Sequence, residues 1–132
     1  MKRAWVVIVF LLLFVIAACG GTSSVTSSDT IPSDYAGKTN PFGIEVVAAG
    51  AEVFKANCAS CHGDTGHGDG IAGKDLYPPP KNLAQLQSQV GDDYLFWRIN
   101  TGKPGTMMVA WQRILTEEQI WQVISFLHTL KN

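Results

Sequence analysis

Three side chains within five residues carry the most specific chemistry in this chain of 132 residues: Cys58, Cys61 and His62. Two thiols at this spacing reach the two vinyl groups along one edge of a haem, and the next residue can place an imidazole nitrogen on the iron from the same side. In an exported chain, a lone Cys-x-x-Cys followed directly by His reads as covalent attachment of a c-type haem, one per chain here. The pair cannot staple a fold, because it closes almost no loop. A structural zinc ion takes four protein ligands, usually from a second Cys or His pair, and the remaining histidines, His67 and His128, form none. A redox dithiol follows a strand and opens a helix, whereas this pair ends a helical pattern and enters a glycine-rich stretch.

A second axial ligand must approach from the opposite haem face, hence from distant sequence. The segment Gly102-Lys103-Pro104-Gly105-Thr106-Met107-Met108-Val109-Ala110-Trp111 is a loop by its glycines and proline, and it offers two thioethers, Met107 and Met108. His67 is a further candidate, on a glycine-rich loop that suits a solvated side chain better. Trp97, Arg98 and Trp111 are candidates to line the haem or to bond its propionates. Lys55, Lys74, Lys81 and Lys103 are candidates to ring an exposed haem edge and steer a partner.

The elements that must position these groups are helical. Val46, Val47, Gly50, Val53 and Phe54 recur on one side of a helix of period 3.6 that ends near Asn57, just before the first thiol. Residues 63–82 are rich in glycine and contain Pro78, Pro79 and Pro80, so they form an irregular loop. Asp92 to Asn100 forms a helix with Leu95, Phe96 and Ile99 on its apolar side and Gly102 past its end. Thr116 with Gln119 is a capping box, and Glu117 and Glu118 suit the positive end of the helix that follows. Ile120, Val123, Ile124, Leu127 and Leu130 then form one apolar stripe, which places His128 at the surface beside it. No segment shows sustained strand alternation, so the domain is expected to be all-α, three to four short helices and long loops. So thin a core needs a staple, which a large apolar plate at its centre provides.

The N-terminus is organised differently. A basic start at Lys2 and Arg3 and an uncharged apolar run from Ala4 to Ala18 make a secretory signal over 1–18, too short to span a bilayer comfortably. Ile16-Ala17-Ala18-Cys19 resembles the lipobox of bacterial lipoproteins, which makes Cys19 the expected lipidation site. Residues 20–43 include nine Ser or Thr among 24, a composition too poor in apolar surface to order itself. Residues 19–43 are therefore expected to be a flexible lipid-anchored tether, of roughly 25–30 Å r.m.s. reach, leaving 44–132 as the domain. Without Lys2 and Arg3 the chain keeps 8 basic and 11 acidic residues, a balance of −3. It has no basic stripe for nucleic acid.

Cys-x-x-Cys-His-Gly at 58–63, the Gly66-His67-Gly68-Asp69-Gly70 run, the Gly-Thr-x-Met-x-Ala-Trp loop at 105–111 and the final amphipathic helix together resemble class I c-type cytochromes across residues 44–131. The resemblance implies the cytochrome c fold, with terminal helices crossing at Gly50 and Phe126. It also implies one haem c ligated by His62 and, aligned on Met-x-Ala-Trp, by Met108, with Met107 as runner-up. The family commonly has proline after this methionine; here the residue is Val109. Six-coordinate iron leaves no site for substrate, so the expected function is a non-enzymatic, membrane-tethered single-electron carrier. It would serve redox protein partners on the periplasmic or extracellular side, free-swinging or within a respiratory or photosynthetic complex. The competing reading is a haem enzyme or gas sensor with an open or labile sixth position.

Overall fold

A computed structural model describes residues 29–132. The signal segment and Cys19 lie outside the described residues. Among the described residues, two 3-10 turns (Ile44–Val46 and Trp111–Arg113) and five α-helices make up the regular structure: α1 (Val47–Asn57), α2 (Ala59–His62), α3 (Leu83–Leu86), α4 (Asp92–Thr101) and α5 (Glu117–Leu127). There is no strand among the described residues, in keeping with the all-α expectation. No helix among them is long and apolar enough to cross a membrane.

The core forms where α1, α4 and α5 meet. Phe54, Leu95, Phe96, Ile120, Val123, Ile124 and Leu127 are buried together. Phe96 stacks on Trp121 at 4.3 Å between ring centroids, and Phe54 tilts against Phe126 at 5.1 Å. Helices α1 and α5 cross at Gly50, where an added Cβ would run into the backbone carbonyl of Gln122 and press within 3.2 Å of the Phe126 Cβ. Only a residue without a side chain allows that approach. The start of α5 is the expected capping box: Thr116 Oγ1 accepts from Gln119 N at 3.1 Å, and Gln119 Oε1 accepts from Thr116 N at 2.9 Å.

Residues 29–43 depart from the flexible tether expected over 19–43. They form a strap laid along α4 and α5. Gly37 N and Asn40 N donate to Asp93 and Asp92 at 3.0 and 2.9 Å. The Asn40 side chain donates to Trp121 O at 3.0 Å and to Ser125 Oγ at 2.9 Å, while Asn100 donates to the Tyr35 hydroxyl at 2.9 Å. Tyr35 and Phe42 pack on the core. The strap is ordered by specific polar bonds to the helices and by two aromatics, so a poor local composition does not prevent it from docking.

Candidate functional site

The site is built around the turn that follows α1. Cys58 caps α1 by donating its N–H to Phe54 O at 2.8 Å, and α2 carries Cys61 and His62 onward from it. The glycine-rich loop folds back to satisfy this turn's carbonyls: Gly68 N donates to His62 O at 2.8 Å, Gly70 N to Cys61 O at 3.2 Å and Ala72 N to Ser60 O at 2.9 Å. Gly68 has φ +82°, a conformation open to glycine at little cost. The loop's glycines therefore let backbone close tightly around the Cys-x-x-Cys-His turn.

His62 is oriented by a group that residue types alone do not reveal. Its Nδ1 lies 3.0 Å from the backbone carbonyl of Lys81. A carbonyl only accepts, so Nδ1 carries the proton and Nε2 keeps its lone pair for a metal. Burial pulls the imidazole below its ordinary pKa, against the opposing pull of the Lys81 carbonyl. The ring is thus held neutral, the form that ligates. The Pro78-Pro79-Pro80 run that delivers this carbonyl was the available sequence signal.

Cys58 and Cys61 are not joined to each other in a disulfide, and both are half-buried. Burial, with a smaller contribution from neighbouring Cys61, pushes the Cys58 thiol up to about 12. Such a thiol stays protonated, unlike the low-pKa thiolates of reactive redox cysteines.

Cys58, Cys61 and His62 share one wall of a cleft, and Met107, Met108 and Trp111 lie on another part of its lining. The cleft has a cavity volume of about 200 Å³ and opens to solvent at its mouth. The two methionines differ sharply. Met107 is 70% exposed, whereas Met108 is half-buried and packs against the core. The Met108 backbone is pinned on both sides: its N–H donates to Thr106 Oγ1 at 3.1 Å and its carbonyl accepts from Lys103 N at 3.0 Å.

Arg98 also lines the cleft, is 9% exposed, and keeps its buried Nε without a partner among the described residues. A buried guanidinium nitrogen demands an acceptor, and a haem propionate meets that demand. Two thiols, a neutral imidazole, a thioether, a largely apolar lining and one orphaned cationic donor fit a haem well. Trp97 lies outside the lining and instead stacks on Arg98, 3.6 Å from guanidinium carbon to ring centroid. Lys81 and Lys103 line the cleft, whereas Lys55 and Lys74 do not. His67 is exposed and bonded to Thr65 Oγ1 at 2.8 Å, outside the lining. His128 is at the surface, paired to Asp92 at 2.7 Å.

Comparison with known proteins agrees with this geometry. Residues 47–131 match the family model described as Cytochrome c. The chain is 36% identical over 86 residues to the cbb3-type cytochrome c oxidase subunit CcoP of Azospirillum sp. (strain B510), covering 64% of this chain and 28% of that protein. It is 35% identical over 82 residues to the cbb3-type cytochrome c oxidase subunit FixP of Azorhizobium caulinodans, covering 61% and 26%. This chain therefore matches only about a quarter of each of these relatives. Among solved structures, the Kuenenia stuttgartiensis reducing HAO-like protein complex Kustc0457/Kustc0458 superposes with a TM-score of 0.56 at 21% identity, over 67% of this chain and 44% of that one. The KustC0563 c-type cytochrome superposes with a TM-score of 0.54 at 22% identity, over 63% and 98%. These two likenesses establish the fold, the cytochrome c fold.

Proposed function

The chain belongs to the cytochrome c family, an electron-transfer haem protein with one covalently bound haem c, and from that premise we propose a membrane-tethered single-electron carrier with His62 and Met108 as axial ligands. Thioether bonds from Cys58 and Cys61 hold the haem in this reading, and Cys19 carries the lipid. When bound, the haem supplies a one-electron couple at its iron. His62 is kept neutral and turned by Lys81 O, and Met108 is kept in place by Thr106 and Lys103. The loops and apolar lining exclude water, which together with a thioether ligand favours a relatively positive potential.

The observation that carries the reading is the contrast between the two methionines: Met108 is half-buried and backbone-pinned in the cleft, while Met107 points most of its surface to solvent. A side chain already immobilised in the apolar wall loses little further freedom on ligating. The named roles of CcoP and FixP support service within a respiratory oxidase complex, with redox proteins as donor and acceptor. The test is the visible and near-infrared spectrum of the ferric protein. Met108→Leu is expected to abolish the thioether-to-iron charge-transfer band, and Met107→Leu to retain it. The reverse result would move the ligand to Met107, and absence of the band from the unmodified ferric protein would overturn methionine ligation altogether.

A further inference from the structure

Asp29 lies ten residues beyond Cys19 and begins the strap, yet it is bonded to the wall of the haem cleft. Its Oδ2 lies 2.7 Å from Arg98 Nη2 and 2.7 Å from Lys103 Nζ, and accepts from the Tyr94 hydroxyl at 3.4 Å. Arg98 and Lys103 both line the cleft. Arg98 also lies against two aromatic rings that meet edge to face, 3.6 Å from the Trp97 centroid and 5.5 Å from that of Tyr94. One carboxylate thus gathers two cations into fixed positions beside the haem. With its Nη2 occupied and its plane stacked, Arg98 has its orphaned Nε left for a group in the cleft.

We propose that Asp29 is a positioning residue that sets the haem's reduction potential, fixing Arg98 and Lys103 in the cleft wall and offsetting their charge. The physical argument is one of sign. The ferric haem carries one more positive charge than the ferrous haem, so a nearby carboxylate favours the ferric state and nearby cations favour the ferrous. The cluster is partly shielded from water: the side chains of Asp29, Arg98 and Lys103 are 28%, 11% and 32% exposed. Screening by water and salt is weak for partly buried charges. The hydrogen bond from Lys103 holds the Asp29 carboxyl below the usual carboxylate range against the opposing effect of burial, and Arg98 adds to the lowering. The charge is therefore present throughout the physiological range. Removing it leaves two uncompensated cations beside the haem and frees Arg98 to pair more strongly with a propionate, and both effects act in the same direction.

This inference rests on the haem occupying the cleft and is independent of which methionine ligates. The experiment is an equilibrium redox titration of the full-length, haem-loaded protein and its Asp29→Asn variant, with unchanged spectra establishing intact ligation. The midpoint of Asp29→Asn is expected to rise by at least about 18 mV, a twofold change in the ferrous-to-ferric ratio for a one-electron couple. Asp29→Glu is expected to stay within that margin of the wild type. Loosening of the strap alone would admit water, favour the ferric state and lower the midpoint, so the sign separates charge-setting from a purely structural role. A midpoint that is unchanged or lower in Asp29→Asn overturns the proposal. Should that variant not accumulate, Lys103→Gln removes one cation and is expected to lower the midpoint; no change there overturns it equally.

Discussion

At the scale of single residues, the site depends as much on backbone groups as on the side chains that name it. His62 is useful because a carbonyl fixes its tautomer, and an acceptor on the ring nitrogen away from the metal commonly orients a ligating histidine. The carbonyl belongs to Lys81, whose side chain the sequence had singled out only as a cation for steering. The two roles separate by mutation. Lys81→Ala keeps the carbonyl, so haem content and the absorption spectrum are expected to match the wild type. Only the ionic-strength dependence of electron transfer to an acidic partner should weaken, measured by stopped-flow mixing at several salt concentrations. A spectral change would mean that the lysine side chain itself shapes the site. Arg98 shows the same division: residue type suggested a bond to propionates, but only the fold reveals that its Nη2 is already engaged by Asp29 and its Nε is not.

At the scale of elements, α1 and α5 set the frame on which the Cys-x-x-Cys-His turn hangs. Their crossing depends on the absence of a side chain at Gly50, because an added Cβ meets the Gln122 carbonyl. Gly50→Val is therefore expected to destabilise the protein by about 1–3 kcal/mol, the usual cost of overpacking, measured by denaturant unfolding. A cost near zero would show that the helices can slide apart without loss. The start of helix α5 was legible to the residue, because Thr116 and Gln119 form a local signature, whereas the apolar stripe runs on to Leu130, past the last helical residue, Leu127. Helices α1 and α4 were legible to within a residue or so from the helical spacing of their apolar residues. The strap was not, since its order comes from Asn40 reaching Trp121 and Ser125 more than 80 positions away. Such contacts leave no periodic trace in sequence. Composition can report that a segment has no core of its own, but not that it docks on another element.

At the scale of the whole molecule, a small helical core is closed by three different devices: a strap outside, a glycine-rich loop wrapped around α2, and the haem at the centre. The match over residues 47–131 accounts for the last two, while the strap precedes it in the chain. The position of Asp29 means that the segment leading from Cys19 ends at the haem wall rather than at a distant surface. The proposed lipid at Cys19 would then hold the haem site within about ten residues of the membrane face, a contour of at most ~36 Å. Cys19→Ser is expected to move the protein from the detergent phase to the aqueous phase in phase partitioning of expressing cells; retention in detergent would contradict lipid anchoring there.

The central claim is that both axial positions of the iron are filled by the protein, so that electrons pass without a substrate binding. The most direct measurement is exposure of the dithionite-reduced protein to carbon monoxide while its Soret band is recorded. An unshifted band is the predicted result, because His62 and Met108 leave no open coordination site. A shift to the spectrum of a carbon monoxide complex at physiological pH would contradict the account and favour an enzyme or gas sensor with a labile sixth ligand.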